Sequence, residues 1–265
     1  MYRFLLRPKW IAFTLLLVGL VVLMISLGFW QLRRLDERQQ FNALVTSNTS
    51  QPLATLADVL SPGTDISAVE WRPVTATGTY LDGQQVLVVN RSQTGETGRN
   101  VVDPLQLSDG SVLLVNRGFA SDQVDVPPPP TGTVTITGVL RRSEERRLGQ
   151  PEDASGVVLT EIRRIDIAKL SPQIGAPVQP MYVEASVTDS ESLAPIASPT
   201  LTEGPHLSYA IQWFIFSACV VAGWAFAVRR SAAQRSGRAP RRRSTPPIAD
   251  EMSRVAPETS SAPPG

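Results

Sequence analysis

The chain has 265 residues, of which 42% are hydrophobic and 18% are charged, and its formal net charge is +1. This balance conceals a strong asymmetry, because residues 1–9 carry +3, residues 31–206 carry −7 and residues 229–265 carry +5. The two stretches between these blocks, 10–30 and 207–228, contain no charged side chain. Their presence excludes an ordinary soluble protein.

Both uncharged stretches are long enough to cross a lipid bilayer as helices. At about 1.5 Å per residue, each would span a hydrocarbon core roughly 30 Å thick. A cleaved signal peptide is the alternative for the first stretch. That alternative is disfavoured because the apolar run is too long and residues 28–31 offer no small-x-small cleavage site. We therefore predict two transmembrane helices.

The distribution of Lys and Arg predicts how the chain is oriented. Three basic residues precede the first stretch and a run of arginines from Arg229 follows the second, whereas segment 184–205 has none. By the positive-inside rule, both termini are expected in the cytoplasm of a multi-pass cell-membrane protein. The predicted organisation is a cytoplasmic N-terminus (1–9), a transmembrane helix (10–30), an outer domain (31–206), a second transmembrane helix (207–228) and a disordered basic cytoplasmic tail (229–265). The tail is expected to lie against anionic lipid.

The outer domain is predicted to be mainly antiparallel β-structure with little helix. The first helix can continue over 31–41, a short amphipathic segment follows at 51–63, and Asp166 begins a helical turn. Asp82–Gly83 and Asp109–Gly110 are typical hairpin turns between alternating runs. The predicted strands are 74–80, 86–90, 101–107, 112–116, 133–140, 157–162 and 181–187. A barrel or a sandwich would protect the edges of such a sheet.

The rare residue types exclude several functions. Cys219 is the only cysteine, so no disulfide can form within the chain, and His206 is the only histidine. A Cys/His zinc site therefore lacks its ligands, and the four scattered methionines do not predict a copper carrier. A Ser-His-Asp triad could form only around His206, at the membrane surface. We expect no nucleic-acid partner.

Aromatic and imidazole side chains converge where both spans meet the outer membrane surface. His206, Tyr209 and Trp213 are spaced three and four residues apart, so they share one face of the second helix. Trp30 ends the first span. Such a face suits a flat, apolar cofactor, although Trp and Tyr are also the residues of an ordinary interfacial belt, and the imidazole could merely cap the helix.

Two cationic residues, Arg33 and Arg34, follow the first span on its outer side, against the positive-inside bias. Guanidinium groups pair well with carboxylates, and imidazole is a common ligand of haem iron. Haem therefore suits these residues: the imidazole could bind its iron, the aromatic rings could pack on its macrocycle, and the two arginines could pair with its propionates.

The exit from the first span resembles the Gly-x-Trp-Gln-x-x-Arg motif of the Surfeit locus protein one family, with Gly28, Trp30, Gln31 and Arg34 at the motif positions. Further blocks that resemble this family are Trp71–Arg72–Pro73–Val74, Gly78–Thr79–Tyr80, Pro104–Leu105, Val115–Asn116–Arg117–Gly118–Phe119 and residues 206–214. Phe119 stands where the family often has Trp, and Glu37–Arg38 replaces a frequent Trp-Lys pair.

The resemblance implies a non-enzymatic role in the maturation of haem-copper cytochrome c oxidase, in which haem a is delivered to the catalytic subunit or stabilised there. His206 would be a transient axial ligand of the iron. Trp30, Tyr209 and Trp213 would pack on the ring. Arg33 or Arg34 would pair with a propionate. The outer domain would dock on the oxidase or on the haem a synthase.

Three alternatives remain at this stage. The first is a structural accessory subunit of the oxidase that does not touch haem. The second is a membrane-anchored hydrolase, which is disfavoured because carboxylate pairs such as Glu144–Glu145 lie in predicted loops, where charged side chains are usually solvated. The third is a two-span sensor that signals through its arginine-rich tail.

Overall fold

The structure is a computed structural model that describes residues 3–146, 148–153 and 157–236. Its helices are a short 3-10 helix (Arg3–Leu6), α1 (Pro8–Thr49), α2 (Leu56–Val59), α3 (Ile167–Ile174) and α4 (His206–Ser236). Its strands are β1 (Ala54–Thr55), β2 (Pro73–Tyr80), β3 (Val86–Gln93), β4 (Glu96–Leu107), β5 (Val112–Ser121), β6 (Thr133–Arg142), β7 (Glu161–Ile162) and β8 (Met181–Ala185). The chain divides into two compact units, one within residues 1–27 and 212–265 and one formed by residues 28–211.

The first unit contains the apolar parts of α1 and α4. Both helices are long and apolar enough to span a membrane. Large apolar side chains such as Leu16 and Val22 are exposed on them, which water would disfavour and lipid would accept. Inside the unit, Trp224 donates a hydrogen bond from Nε1 to Thr14 Oγ1 at 3.2 Å. The chain is therefore a membrane protein, as the two uncharged stretches predict.

The C-terminal end of α4 corrects the predicted start of the disordered tail. The helix continues to Ser236, so residues 229–236, which were predicted to be disordered, are helical. Helical spacing of apolar residues explains the extension. Val228 and Ala232 lie one turn apart on the same face of the helix, and both are buried. The remainder of the predicted tail, 237–265, lies outside the described residues.

The second unit is built on a closed five-stranded barrel. Its strands follow the order β2–β6–β8–β5–β4, and β4 closes the barrel by pairing again with β2. Every pairing around the barrel is antiparallel except β5 with β8. This strand order is that of OB-type Greek-key barrels. The prediction of a mainly antiparallel β-domain between two apolar helices is confirmed.

A hydrophobic core fills the barrel, and a second apolar layer covers one side of it. The interior cluster includes Leu105, Leu113 and Val183, each of which is fully buried. Strands β3 and β7 and helix α3 form the outer layer, in which Ile165 and Leu170 are buried. Asp166 caps α3 as predicted, by accepting a hydrogen bond from Lys169 N, and Gly175 ends the helix in the left-handed conformation.

The two predicted hairpin turns have different outcomes. At Asp109–Gly110 the turn joins β4 to β5, which are paired strands, so this prediction is confirmed. At Asp82–Gly83 the prediction is wrong, because β2 pairs with β4 and β6, whereas β3 pairs with β4. The hairpin that contains β3 turns instead at Thr94–Gly95, where both residues have positive φ. Positive φ at both central residues is the conformation of the type I′ turn, which is common in two-residue hairpin loops.

Predicted element lengths also change. The predicted strand at 157–162 shortens to Glu161–Ile162, which adds to β3 in parallel. The extension of the first helix, expected to end near Phe41, continues to Thr49.

Contacts with the barrel explain the longer helix. Phe41 packs edge-on against Trp71, with ring centroids 6.2 Å apart, and Val45 is buried. Asn48 donates hydrogen bonds to the carbonyl oxygens of Ala68 and Glu70, at 2.8 and 2.7 Å. The outer part of α1 is therefore fixed to the barrel by tertiary contacts that sequence periodicity does not reveal.

A buried ion-pair network closes one end of the barrel core. Arg117 is 1% exposed, and it contacts Asp103 at 2.9 Å and Asp189 at 2.8 Å. It also donates hydrogen bonds to the carbonyl oxygens of Pro127 and Pro128. These four acceptors satisfy a charge that would otherwise be costly inside a protein. The Asn-Arg-Gly block that resembles the family thus has a structural role in this chain.

Candidate functional site

The candidate site lies in the second unit, where α4 begins beside α1. His206 is the first residue of α4. Its Nδ1 atom is 2.9 Å from Oε1 of Gln31, a residue that precedes it by 175 positions. With this amide oxygen as the acceptor, the contact corresponds to the tautomer in which Nδ1 carries the proton. The other ring nitrogen, Nε2, then holds a lone pair that can accept a proton or bind a metal.

The turn that leads into α4 is bonded to α1 and within itself. Gln39 donates a hydrogen bond to Oε1 of Glu203 at 3.0 Å, which ties α1 to this turn a second time. Pro205 accepts hydrogen bonds from the backbone N–H of Tyr209 and from the Ser208 hydroxyl. The backbone contact to Tyr209 orders the first turn of α4, and the Ser208 hydroxyl adds a local contact within the same turn.

Gly204 leaves the Nε2 side of the imidazole open. Its φ is +69°, a left-handed conformation that glycine adopts without strain. A Cβ atom at this position would lie 3.5 Å from His206 Nε2. Within the part of the chain that the structure describes, Nε2 of His206 has no hydrogen-bond partner. The ring is thus anchored through one nitrogen and accessible at the other.

The predicted aromatic residues divide between the two units. Trp30 precedes Gln31 on α1 and is 46% exposed, and Tyr209 lies one turn after His206 and is 49% exposed. Both expose apolar surface in the unit that contains the imidazole. Trp213 belongs to the membrane-spanning unit, where it packs edge-on against Phe216 with centroids 6.2 Å apart.

The two predicted cationic residues, Arg33 and Arg34, differ in whether they already have an ion-pair partner. Both are exposed, but Nη1 of Arg34 contacts Oε2 of Glu37 at 2.7 Å, in an (i, i+3) pair on the surface of α1. Among the residues that the structure describes, Arg33 has no ion-pair partner within 4.0 Å. Arg33 is therefore the more available of the two for an external carboxylate.

Gln31 was missed as a site residue although it belongs to the predicted motif. Periodicity can indicate that His206, Tyr209 and Trp213 share a face, but it carries no information about a partner on a helix far away in the sequence. The described segments contain no group of three His, Cys, Asp or Glu side chains that could hold a metal ion.

Comparison with known proteins identifies similar sequences. A sequence model of the SURF1 family matches residues 18–218. An uncharacterized SURF1-like protein of Mycobacterium bovis is 33% identical over 222 residues, covering 80% of this chain and 81% of the relative. A SURF1-like protein of Monosiga brevicollis is 30% identical and covers 86% of this chain and 92% of the relative. A SURF1-like protein of Drosophila melanogaster is 29% identical over 75% of this chain and 72% of the relative.

Proposed function

The chain belongs to the SURF1 family, and from this membership we propose that it is an assembly factor for haem-copper cytochrome c oxidase. In this role it binds haem a and delivers it to the catalytic subunit, or stabilises it there, during maturation. The function is one of binding and transfer, in which the protein makes and breaks no covalent bond of its substrate. Family membership supports the assembly role, and the geometry around His206 supports the involvement of haem a.

The observation that carries the haem proposal is the anchored imidazole. A histidine that ligates a metal almost always donates its second ring N–H to an acceptor, and the Gln31 contact supplies this arrangement. The open side at Gly204 gives the iron access to Nε2. His206 would hold the haem through Nε2, since imidazole is a common ligand of haem iron.

The remaining roles follow from exposure and charge. Trp30 and Tyr209 expose apolar rings in the same unit as His206, and these two rings would pack on the macrocycle. Arg33, or Arg34 after exchange of its Glu37 partner, would pair with a propionate. The barrel provides the surface for the protein partners, which we propose to be the catalytic subunit of the oxidase and the haem a synthase.

The location that suits this role is the cell membrane, with both termini in the cytoplasm and the barrel outside. The basic residues before α1 and the pair Arg229–Arg230 within α4 support this orientation.

Reporter fusions test the orientation. A reporter that is active only in the cytoplasm, fused after Gly265, is expected to be active. A reporter that is active only outside the cytoplasm, inserted in the exposed turn at Asp82–Gly83, is also expected to be active. Exchanging the two reporters provides the control, because both exchanged fusions should be expressed but silent. Activity of the exchanged pair would show that the orientation is reversed.

The absorption spectrum tests the proposed function. The full chain, purified in detergent from cells that make haem a, is expected to show the bands of haem a in proportion to protein. The same chain purified from cells that lack the haem a synthase provides the control and should lack these bands. A colourless preparation from both cell types would contradict haem binding and would favour the structural accessory subunit.

A further inference from the structure

We infer that Gln31 is a positioning residue that locks His206 in the Nδ1–H tautomer and thereby presents Nε2 as the metal-binding atom. This inference deepens the proposed function and rests on it only for the identity of the metal complex. The tautomer itself is a property of the protein without any cofactor, so it can be tested independently.

The geometry fixes which ring nitrogen is bonded. Nδ1 of His206 and Oε1 of Gln31 are 2.9 Å apart, a normal length for an N–H···O hydrogen bond. A carbonyl-type oxygen cannot donate, so the proton of the neutral ring must reside on Nδ1. A solvent-exposed imidazole has no such constraint and exchanges between its two tautomers. Gln31 therefore selects one of two states that differ in which nitrogen can bind a metal.

The second nitrogen lies on the side that is kept open. Gly204 lies beside this part of the ring, and an added Cβ there would lie 3.4 Å from Cδ2 and 3.5 Å from Nε2 of His206. A side chain there would occupy the space that a ligand of His206 needs. Gln31 and Gly204 thus act on opposite sides of the same ring, one by holding Nδ1 and the other by leaving Nε2 accessible.

The position of Gln31 is itself well supported. It lies on the part of α1 that is fixed to the barrel through Asn48 and Phe41. The nearby bond between Gln39 and Glu203 holds the turn before His206 against the same helix. The acceptor and the imidazole are therefore brought together by the fold of the second unit, which favours a defined tautomer.

Nitrogen NMR measures this directly, because His206 is the only histidine in the chain. The full chain labelled with ring-¹⁵N histidine, in detergent and without cofactor, gives one pair of ring resonances. On the neutral ring, we expect Nδ1 to be protonated and Nε2 to be unprotonated. In Gln31→Leu this preference should be lost. In Gln31→Glu it should be kept, because a carboxylate also accepts a hydrogen bond from Nδ1–H.

The matched control is Gln40→Leu, which removes a glutamine on the same helix that bonds to Asp36 Oδ2 at 2.8 Å and leaves the acceptor at Gln31. It should keep the wild-type tautomer. If the wild type shows Nε2–H, or if Gln31→Leu leaves the resonances unchanged, the inference is overturned.

Titration with haem a provides the second measurement. Loss of an outer partner of a metal ligand typically lowers affinity 10–100-fold, so Gln31→Leu should weaken binding by about this factor, with rescue by Gln31→Glu. A wild-type chain that shows the Nδ1–H tautomer but binds no haem a would overturn the proposed cofactor and leave the role of Gln31 intact. Binding of haem a with equal affinity by Gln31→Leu and the wild type would overturn the role of Gln31.

Discussion

Replacement of the buried arginine, Arg117→Ala, is expected to lower the free energy of unfolding of the barrel by about 3–5 kcal/mol, because it leaves a buried carboxylate without its cation. Asp103 is fully buried, and Arg117 is its only ion-pair partner within 4.0 Å among the described residues. The change is measured by urea denaturation of the full chain in detergent. At each urea concentration, resistance to a short protease pulse reports the folded fraction. This loss would exceed half of the stability of many single domains, which is about 5–15 kcal/mol.

The matched control is Arg99→Ala. Arg99 lies on β4 and contacts the exposed Asp122 at 3.6 Å. Arg99 is half-buried and also donates a hydrogen bond to Val124 O, but its carboxylate partner stays in solvent when the pair is broken, so the control should lose much less stability than Arg117→Ala. Equal stability of Arg117→Ala and Arg99→Ala would contradict the structural role of the Arg117 network.

The deficit of Arg117→Ala should also depend on pH. Burial raises the pKa of Asp103 above its ordinary value of 3.8, and the hydrogen bond from Arg117 opposes the shift. A raised folded-state pKa gives a stabilising contribution that is present below the unfolded pKa and lost as pH rises through the folded pKa. Without Arg117 the pKa rises further, so more stability is lost at neutral pH. The part of the deficit that comes from the Asp103 charge should shrink as pH falls toward about 4, so the unfolding curves of variant and wild type should move closer together.

Local signals in the sequence predict local structure in this protein. Asp166 and Gly175 bound α3 because an N-cap and a left-handed C-cap involve only neighbouring residues. The turn at Asp109–Gly110 is formed for the same reason. At Asp82–Gly83 the same dipeptide fails, because β2 obtains better partners in β4 and β6, which are remote in sequence. Turn chemistry permits a hairpin, but long-range pairing decides whether one forms.

The Arg117 network shows the limit of strand patterning. Between β4 and β5 the register shifts, so that Val101 lies opposite Gly118 and Val102 opposite Asn116. Arg117 is the extra residue of this bulge, and bulges redirect side chains. Regular alternation cannot predict where such an extra residue points. The buried arginine could therefore be recognised as a family block but not as part of the core.

The candidate site was predicted in part for a similar reason. The spacing of residues on α4 identified the imidazole and its aromatic neighbours, because a helical face follows from periodicity alone. The acceptor for this imidazole lies on α1, and only the tertiary structure brings Gln31 to His206. Arg34 pairs with Glu37, whereas Arg33 has no ion-pair partner among the described residues. This difference depends on side-chain rotamers, which a sequence does not specify.

Replacement of the single imidazole, His206→Ala, is expected to reduce the content of haem a per protein by at least about tenfold. Loss of an outer partner already costs 10–100-fold in affinity at metal sites, and this change removes the proposed ligand itself. No second histidine in the chain can replace it. The measurement is the ratio of haem absorbance to protein in the full chain, purified at matched expression. The protein should still fold, because His206 is the first residue of α4 and does not belong to the barrel core.

Two further variants separate ligation from general damage to the site. Ser208→Ala changes the same turn of α4 by removing a hydroxyl whose hydrogen bond goes to Pro205 O within the described part of the chain, and it should retain the wild-type haem ratio. Arg34→Ala removes an exposed cation that already has Glu37 as a partner, so its effect should stay within the fivefold that corresponds to about 1 kcal/mol. A haem ratio in His206→Ala equal to that of Ser208→Ala would remove the ligand role of the imidazole. The remaining pigment would then have to be held by the aromatic rings and arginines alone.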